Sequence, residues 1–208
     1  MLITISRQYG AGGSSVAALV AERLGWTVVD NDLVDRVAVR AGLSREEVAD
    51  REERSPGFVE RVGLALAASS AEILTPETAA ALKPMEEPRL VEVTERVVRE
   101  VAAQGRVVLV GRAAVAVLAR MPEALHVRVV APRPERIREA MTRLRVDARE
   151  AERMVDASDA SRARFQHDHY GRDWADPAGY AMVLNTASLG YDGAADLIVA
   201  RAKAMGWG

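Results

Sequence analysis

Hydrophobic and polar positions along the chain alternate between two periods, and the switches between them outline an α/β protein. Leu2-Ile3-Thr4-Ile5-Ser6 is a short β-branched run that suits a buried strand. Gly10, Gly12 and Gly13 then interrupt the pattern. Val16, Leu19, Val20 and Leu24 recur at helical spacing and stop at Gly25. Thr27-Val28-Val29 forms a second short strand closing on Asp30. A strand, helix and strand within the first thirty residues predict parallel pairing. From Asp32 to Gln104 the pattern is helical. Leu33, Val34, Val37 and Val39 share a helix ended by Gly42, and Ser44-Arg45-Glu46-Glu47 has a capping-box layout. The Ala-rich stretch 55–88, broken by Pro56, Pro76, Pro84 and Pro88, reads as a mobile helical lobe, and 88–104 as a cleaner amphipathic helix. Strands return at 106–110, 125–130 and 181–184. Helices are predicted from near Pro134, over 147–164, and after Asn185-Thr186 as far as Met205. The expected fold is a five-stranded, mainly parallel sheet with helices on both faces.

Composition narrows the function. The chain has 208 residues, 28 basic and 30 acidic, for a net charge of −2. That balance argues against binding a nucleic-acid polymer or an anionic membrane, both of which call for a basic excess. Aromatic residues are 4% of the chain, so the core must be aliphatic. The absence of cysteine removes disulfides, thiolate nucleophiles and Cys-ligated metals. No apolar run reaches membrane-span length and no signal-peptide layout is present, so a soluble cytoplasmic protein is expected. Only Lys83 and Lys203 are lysines, leaving 26 arginines among the 28 basic residues. A chemistry that needs a lysine before residue 83 is therefore excluded.

In parallel sheets ligands sit beyond the carboxyl ends of the strands, which directs attention to Ser6-Arg7-Gln8-Tyr9-Gly10-Ala11-Gly12-Gly13-Ser14-Ser15. Glycines between a strand and a helix let backbone N–H groups turn inward beside the helix amino terminus, where they bind phosphate. Gly10-x-Gly12 followed by Asp30 imitates a dinucleotide fingerprint. However, the sixth position is Ser15, and three residues separate Gly10 from the strand. The longer spacing suits a mononucleotide phosphate loop. In that motif the lysine position holds Gly13. Ser15, or failing that Ser14, can offer a hydroxyl to Mg²⁺, and the missing cation must be an arginine, with Arg7 nearest. The plain alternative is a structural turn that binds nothing.

These residues resemble the cytidylate-kinase-like proteins of the nucleoside monophosphate kinase class. The likeness is carried by Ile3 to Gly13, by Val29-Asp30-Asn31-Asp32-Leu33 and by Val108-Leu109-Val110-Gly111-Arg112. It continues in Asp159-Ala160-Ser161-Arg162-Ala163, Asp173-Trp174-Ala175-Asp176-Pro177, Tyr180 and Leu184-Asn185-Thr186. The resemblance implies one P-loop kinase domain over 1–208, with a helical substrate-binding insertion at about 31–90 and a lid at about 143–152. It implies ATP and Mg²⁺, with Gly10, Ala11, Gly12, Gly13, Ser14 and Ser15 cradling the donor phosphates. Asp159 and Arg162 would hold the acceptor's base and phosphate, Arg112 would face that phosphate, and Arg143 and Arg145 would serve the lid. Gly13 replaces the loop lysine, which the cytidylate-kinase-like group generally lacks; departures are Ser14 where arginine is frequent, Val155 in place of a substrate arginine of true cytidylate kinases, and Val115 where an acid is frequent.

Three functions fit. In the first, ATP phosphorylates a nucleoside monophosphate, CMP or dCMP before others, with Arg7 and a lid arginine meeting the charge of the transferred group. In the second, Asp30 and Asp32 resemble the D-x-D pair of shikimate-kinase-type enzymes, so that Asp30 acts as base toward a hydroxyl and Asp32 contacts the substrate. There Asp30 joins Ser15 around Mg²⁺. The competing structural role for both acids is to cap the helix beginning at Asn31-Asp32. The third is a nucleotide-binding regulator without turnover. His167-x-His169 is a poor metal pair, because i,i+2 positions face different sides of a helix. Trp174 reads as a structural turn packing the lid base, and the arginines from 133 to 153 as a solvated helix face.

Overall fold

The computed structural model of the chain describes residues 1–30, 87–111 and 114–207. The helices expected around Leu33 and Ser44, the proline-broken lobe, Asp32 and Arg112 lie outside the described residues.

In chain order the elements are β1 (Leu2–Arg7), α1 (Gly13–Leu24), β2 (Thr27–Asp30), α2 (Glu87–Gln104), β3 (Val107–Val110), α3 (Ala114–Val117) and β4 (Ala124–Val130). They continue with α4 (Arg133–Leu144), α5 (Ala148–Tyr170), a 3₁₀ turn (Pro177–Gly179), β5 (Met182–Asn185) and α6 (Thr186–Ala204). The five strands form one sheet in the order β2-β3-β1-β4-β5, and every pairing is parallel. The expected α/β fold is therefore the observed one. Each predicted strand is present, and β1 takes the centre, all six of its residues buried.

The central strand explains both cores. Ile3 and Ile5 face one side, with Val108, Val110, Leu125, Val127 and Val129, and meet Val16 and Val20 of α1 and Ile198 of α6. Leu2 faces the other, with Val107 and Leu109, against Val98 and Val101 of α2 and Leu118. Both clusters are almost wholly aliphatic, as the scarcity of aromatics requires. At the α1–α6 joint, Arg23 also pairs with Asp192 and Asp196, but both acids are over 70% exposed. Exposed pairs contribute about 1 kcal/mol or less each. Removing one buried branched side chain such as Ile198 costs roughly 2–5 kcal/mol, so apolar burial holds the joint.

Two predicted features differ in detail. Helix α5 runs on to Tyr170, six residues past the expected end. No breaker intervenes before Gly171, and the Phe165 ring packs against His169 and Tyr170. Trp174 does lie in a turn, with Asp173 Oδ1 accepting from the Ala175 amide at 2.7 Å. Its ring packs on the sheet. Its indole N–H donates to Ser6 Oγ at 2.9 Å, and the Arg128 guanidinium lies 4.2 Å from its ring centroid. A polar pair on this face of β1 and β4, Ser6 beside Arg128, needs an aromatic cover with its own donor.

One step inward, Thr4 Oγ1 and His126 Nδ1 are hydrogen-bonded at 2.7 Å. Burial pushes the His126 imidazole below its usual 6.5, aided by the nearby Arg172 charge and opposed by a hydrogen bond to the Leu118 backbone. The unfolded chain therefore binds this proton more readily. The stability held by the neutral ring is complete above about pH 6.5 and is lost as pH falls below it. Thermal melts between about pH 7.5 and about pH 5 should show a falling Tm that His126→Asn flattens. An identical pH slope in the variant would count against this assignment.

Candidate functional site

The glycine loop lies where β1 ends, flanked by the carboxyl ends of β3 and β4. Helix α1 starts at Gly13 behind Gly12, which has left-handed φ 75° and caps the helix without any side-chain hydrogen bond. The opening N–H groups of a helix have no intrahelical partner, and no acidic side chain lies in this first turn. With the positive end of the helix dipole, they form a place for an anion.

Gly13 is where the sequence departs from the usual loop, and packing supplies the reason. A Cβ on Gly13 would lie 2.5 Å from Cβ and 2.8 Å from Cγ of Arg7. The stem of Arg7 occupies the space a lysine side chain would enter. Its guanidinium Nη2 then reaches Asp30 Oδ1 at 3.2 Å, with the Arg7 side chain 8% exposed. Ser14 Oγ donates to Asp30 Oδ2 at 3.2 Å. Strand β2 thus delivers Asp30 to the loop although β3 lies between β2 and β1.

Arg7, Gly10, Gly12, Gly13, Ser14, Ser15, Asp30, Arg143 and Arg162 line one cavity of about 380 Å³. These predicted site residues are brought together. Ala11 does not line it: it is buried behind the loop, its carbonyl accepting from Thr186 Oγ1 at 2.9 Å. Arg145 is not in the lining either. The chain reverses there with φ 56° to end α4, which leaves Arg145 exposed. Asp159 is also set back from the cavity. Its Oδ1 accepts from the Tyr9 amide at 2.9 Å and its Oδ2 from Arg136 Nη1 at 2.5 Å. The two histidines go to different partners, His167 to Asp168 and His169 to the Phe165 ring.

A second cavity of about 320 Å³ opens beyond Gly10, between Ala131, Glu135, Glu139, Thr186, Ala187, Gly190 and Tyr191. Tyr191 packs on Gly12 from α6, whose backbone breaks at Gly190, and burial raises its phenol above the ordinary value. Sequence reasoning missed Glu139, Tyr191 and above all Arg136. Arg136 reads in the sequence as part of a solvated arginine face, yet it is 6% exposed. Its i,i+4 spacing to Ala140, on the stripe that also buries Ile137, is the signal that marks it.

The model of the cytidylate kinase-like family matches residues 2–188. The chain belongs to that family. No curated protein matches it in sequence. Among solved structures, an uncharacterized protein from Eubacterium ventriosum aligns with TM-score 0.69 at 18% identity, over 98% of both chains. TT1252 from Thermus thermophilus aligns with TM-score 0.52 at 22% identity, over 98% of this chain and 97% of that one. A shikimate kinase from Bacteroides thetaiotaomicron aligns with TM-score 0.51 at 14% identity, over 99% of this chain and 97% of that one. These likenesses establish a shared fold. Family and fold together make the chain a P-loop kinase, a class that takes a nucleotide donor and a small-molecule acceptor. Among the described residues, no helix is long and apolar enough to cross a membrane.

The Arg7–Gly13 contact makes a stability prediction. Gly13→Ala should cost about 1–3 kcal/mol through overpacking, read as a lower Tm in calorimetry. In an Arg7→Gly background the same change should cost measurably less, a coupling that a double-mutant cycle reads directly. Strict additivity would refute the contact.

Proposed function

We propose that the protein is a cytoplasmic kinase that transfers the γ-phosphoryl group of ATP to a nucleoside monophosphate, CMP or dCMP first. The observation that carries this reading is the convergence of Arg7, Arg143 and Arg162 on the cavity in front of a helix terminus that has no side-chain cap. Three guanidinium groups suit a site that must hold two phosphorylated molecules at once.

The loop amides from Gly10 to Ser15 cradle the donor phosphates in this reading, and the residues present fit the ion that such donors bring. Ser15, together with Asp30 once its Oδ1 is released by Arg7, would hold Mg²⁺, which supplies charge neutralisation on the donor phosphates. Ser14, already donating to Asp30, orients that carboxylate. Arg7 carries the charge that a loop lysine supplies elsewhere. Arg143, at the end of α4, meets the transferred group from the lid side, in a lid proposed over 143–152, and Arg145 follows it in the turn. Arg162 and Arg112 anchor the acceptor phosphate, with the insertion at about 31–90 covering the acceptor. A phosphate acceptor needs no strong base, which agrees with both Asp30 oxygens being engaged by Arg7 and Ser14.

One observation favours a second reading. Asp30 lines the cavity wall, where a carboxylate released from Arg7 could take a proton from a substrate hydroxyl, with Asp32 contacting that substrate. An ADP-release assay across nucleoside monophosphates and small polyols separates the two. Acceleration by CMP or dCMP supports the first reading, and acceleration by a hydroxyl acceptor alone replaces it with the second. Binding of Mg·ATP with turnover on no acceptor would make the protein a nucleotide-binding regulator.

Arg7 has its own test. Arg7→Gly should lower kcat by roughly 10²-fold or more, the scale on which preorganised charge is lost. Adding Gly13→Lys to that variant returns a cation to the loop through the space vacated and should regain about tenfold. A double variant no better than Arg7→Gly would reject the exchange of roles.

A further inference from the structure

Helices α4 and α5 form a hairpin with a small core of its own, Ile137, Ala140, Ala151 and Val155, separate from the two clusters that flank the sheet. The Tyr9 side chain of the glycine loop packs against this hairpin core. The Tyr9 peptide groups are held from both sides by the same hairpin. Its N–H donates to Asp159 Oδ1 of α5 at 2.9 Å, and its carbonyl accepts from Arg136 Nη1 of α4 at 3.2 Å. The same Nη1 donates to Asp159 Oδ2, and Arg136 Nε donates to the Ala131 carbonyl at 3.0 Å. The backbone of Arg136 closes on the next loop residue, where a Cβ on Gly10 would lie 2.5 Å from its carbonyl oxygen.

We infer that Asp159 and Arg136 are positioning residues for the donor loop, gripping the Tyr9 peptide groups so that the amides beyond it stay aimed at the donor phosphates. The inference rests on the kinase reading for the identity of the donor, and it gives Asp159 a different task from the acceptor contact that family resemblance implies. Three features support it. The Asp159 side chain is 17% exposed and Arg136 7%, so the pair is shielded from water and its geometry is tightly held. Both oxygens of Asp159 are engaged within the protein. Arg162, which does line the cavity, comes from the next turn of α5 and reaches the Arg7 carbonyl at 3.4 Å. The hairpin that carries Arg143 and Arg162 therefore also controls the loop on which the donor rests.

The test compares Asp159→Asn, Asp159→Ala and Arg136→Lys with wild type in two measurements. Hydrogen exchange on the ligand-free proteins reads loop order directly, and amides from Tyr9 to Ser14 should exchange faster in all three variants. Calorimetric titration with Mg·ATP should show donor affinity about tenfold weaker in Asp159→Ala, with smaller losses in the two conservative variants. The acceptor KM, measured at saturating ATP, should rise by a smaller factor than donor affinity falls, any rise coming through Arg162, whose Nη1 lies 3.8 Å from Asp159 Oδ1. If Asp159→Ala fails to fold, Asp159→Asn and Arg136→Lys carry the comparison. Unchanged loop exchange in folded variants overturns the inference, as does a raised acceptor KM with donor affinity intact. Failure of wild type to bind Mg·ATP would remove the kinase reading, while loop exchange would still decide whether the clamp exists.

Discussion

Backbone N–H groups can be offered to an anion only if the loop that carries them is held by other means, because a free loop would turn those donors back on itself or to water. In this chain each residue from Arg7 to Gly13 has its own fastening. The Arg7 carbonyl meets Arg162, and the Gln8 amide donates to Val129. Tyr9 is gripped by Asp159 and Arg136, Gly10 abuts the Arg136 backbone, and the Ala11 carbonyl accepts from Thr186. Tyr191 packs on Gly12, and the Arg7 stem closes on Gly13. These contacts come from β4, α4, α5 and α6, so much of the fold serves to immobilise seven residues. The central position of β1 brings its end within reach of β4 and of the helices around it.

The parts of the fold legible in the sequence were those with a simple period. Each strand is built mainly of β-branched or aliphatic residues, and that run places each within a residue of its observed bounds. The glycine loop was legible as the break after the first run. Interactions that cross the chain over long separations were not. Arg136 to Tyr9 spans 127 residues and Trp174 to Ser6 spans 168, and no local pattern encodes either. Arg136 looked like a surface residue because α4 is rich in arginine. Only its burial stripe distinguishes it from Arg138, which is exposed. Asp159 stands out in the sequence only by resemblance, and its contacts are with the loop at Tyr9, with Arg136 and with Arg162.

The relation between Arg7 and Gly13 has the form of an exchange. A lysine at the start of a helix approaches a phosphate from the helix side and swings on a flexible stem. Arg7 instead comes from the end of a strand, with its stem packed on Gly13 and its fork engaged by Asp30. Less freedom remains to be lost when it meets a ligand, and its planar group favours two-point contact. Glycine at position 13 is then a steric requirement and not a sign of a decayed motif.

Arg7 also determines how the loop responds to chemical change around it. A lysine in that role can be silenced by acylation of its amine, and its charge depends on a titratable group. A guanidinium is not a target for agents that acylate amines. Neither Lys83 nor Lys203 lies in the loop.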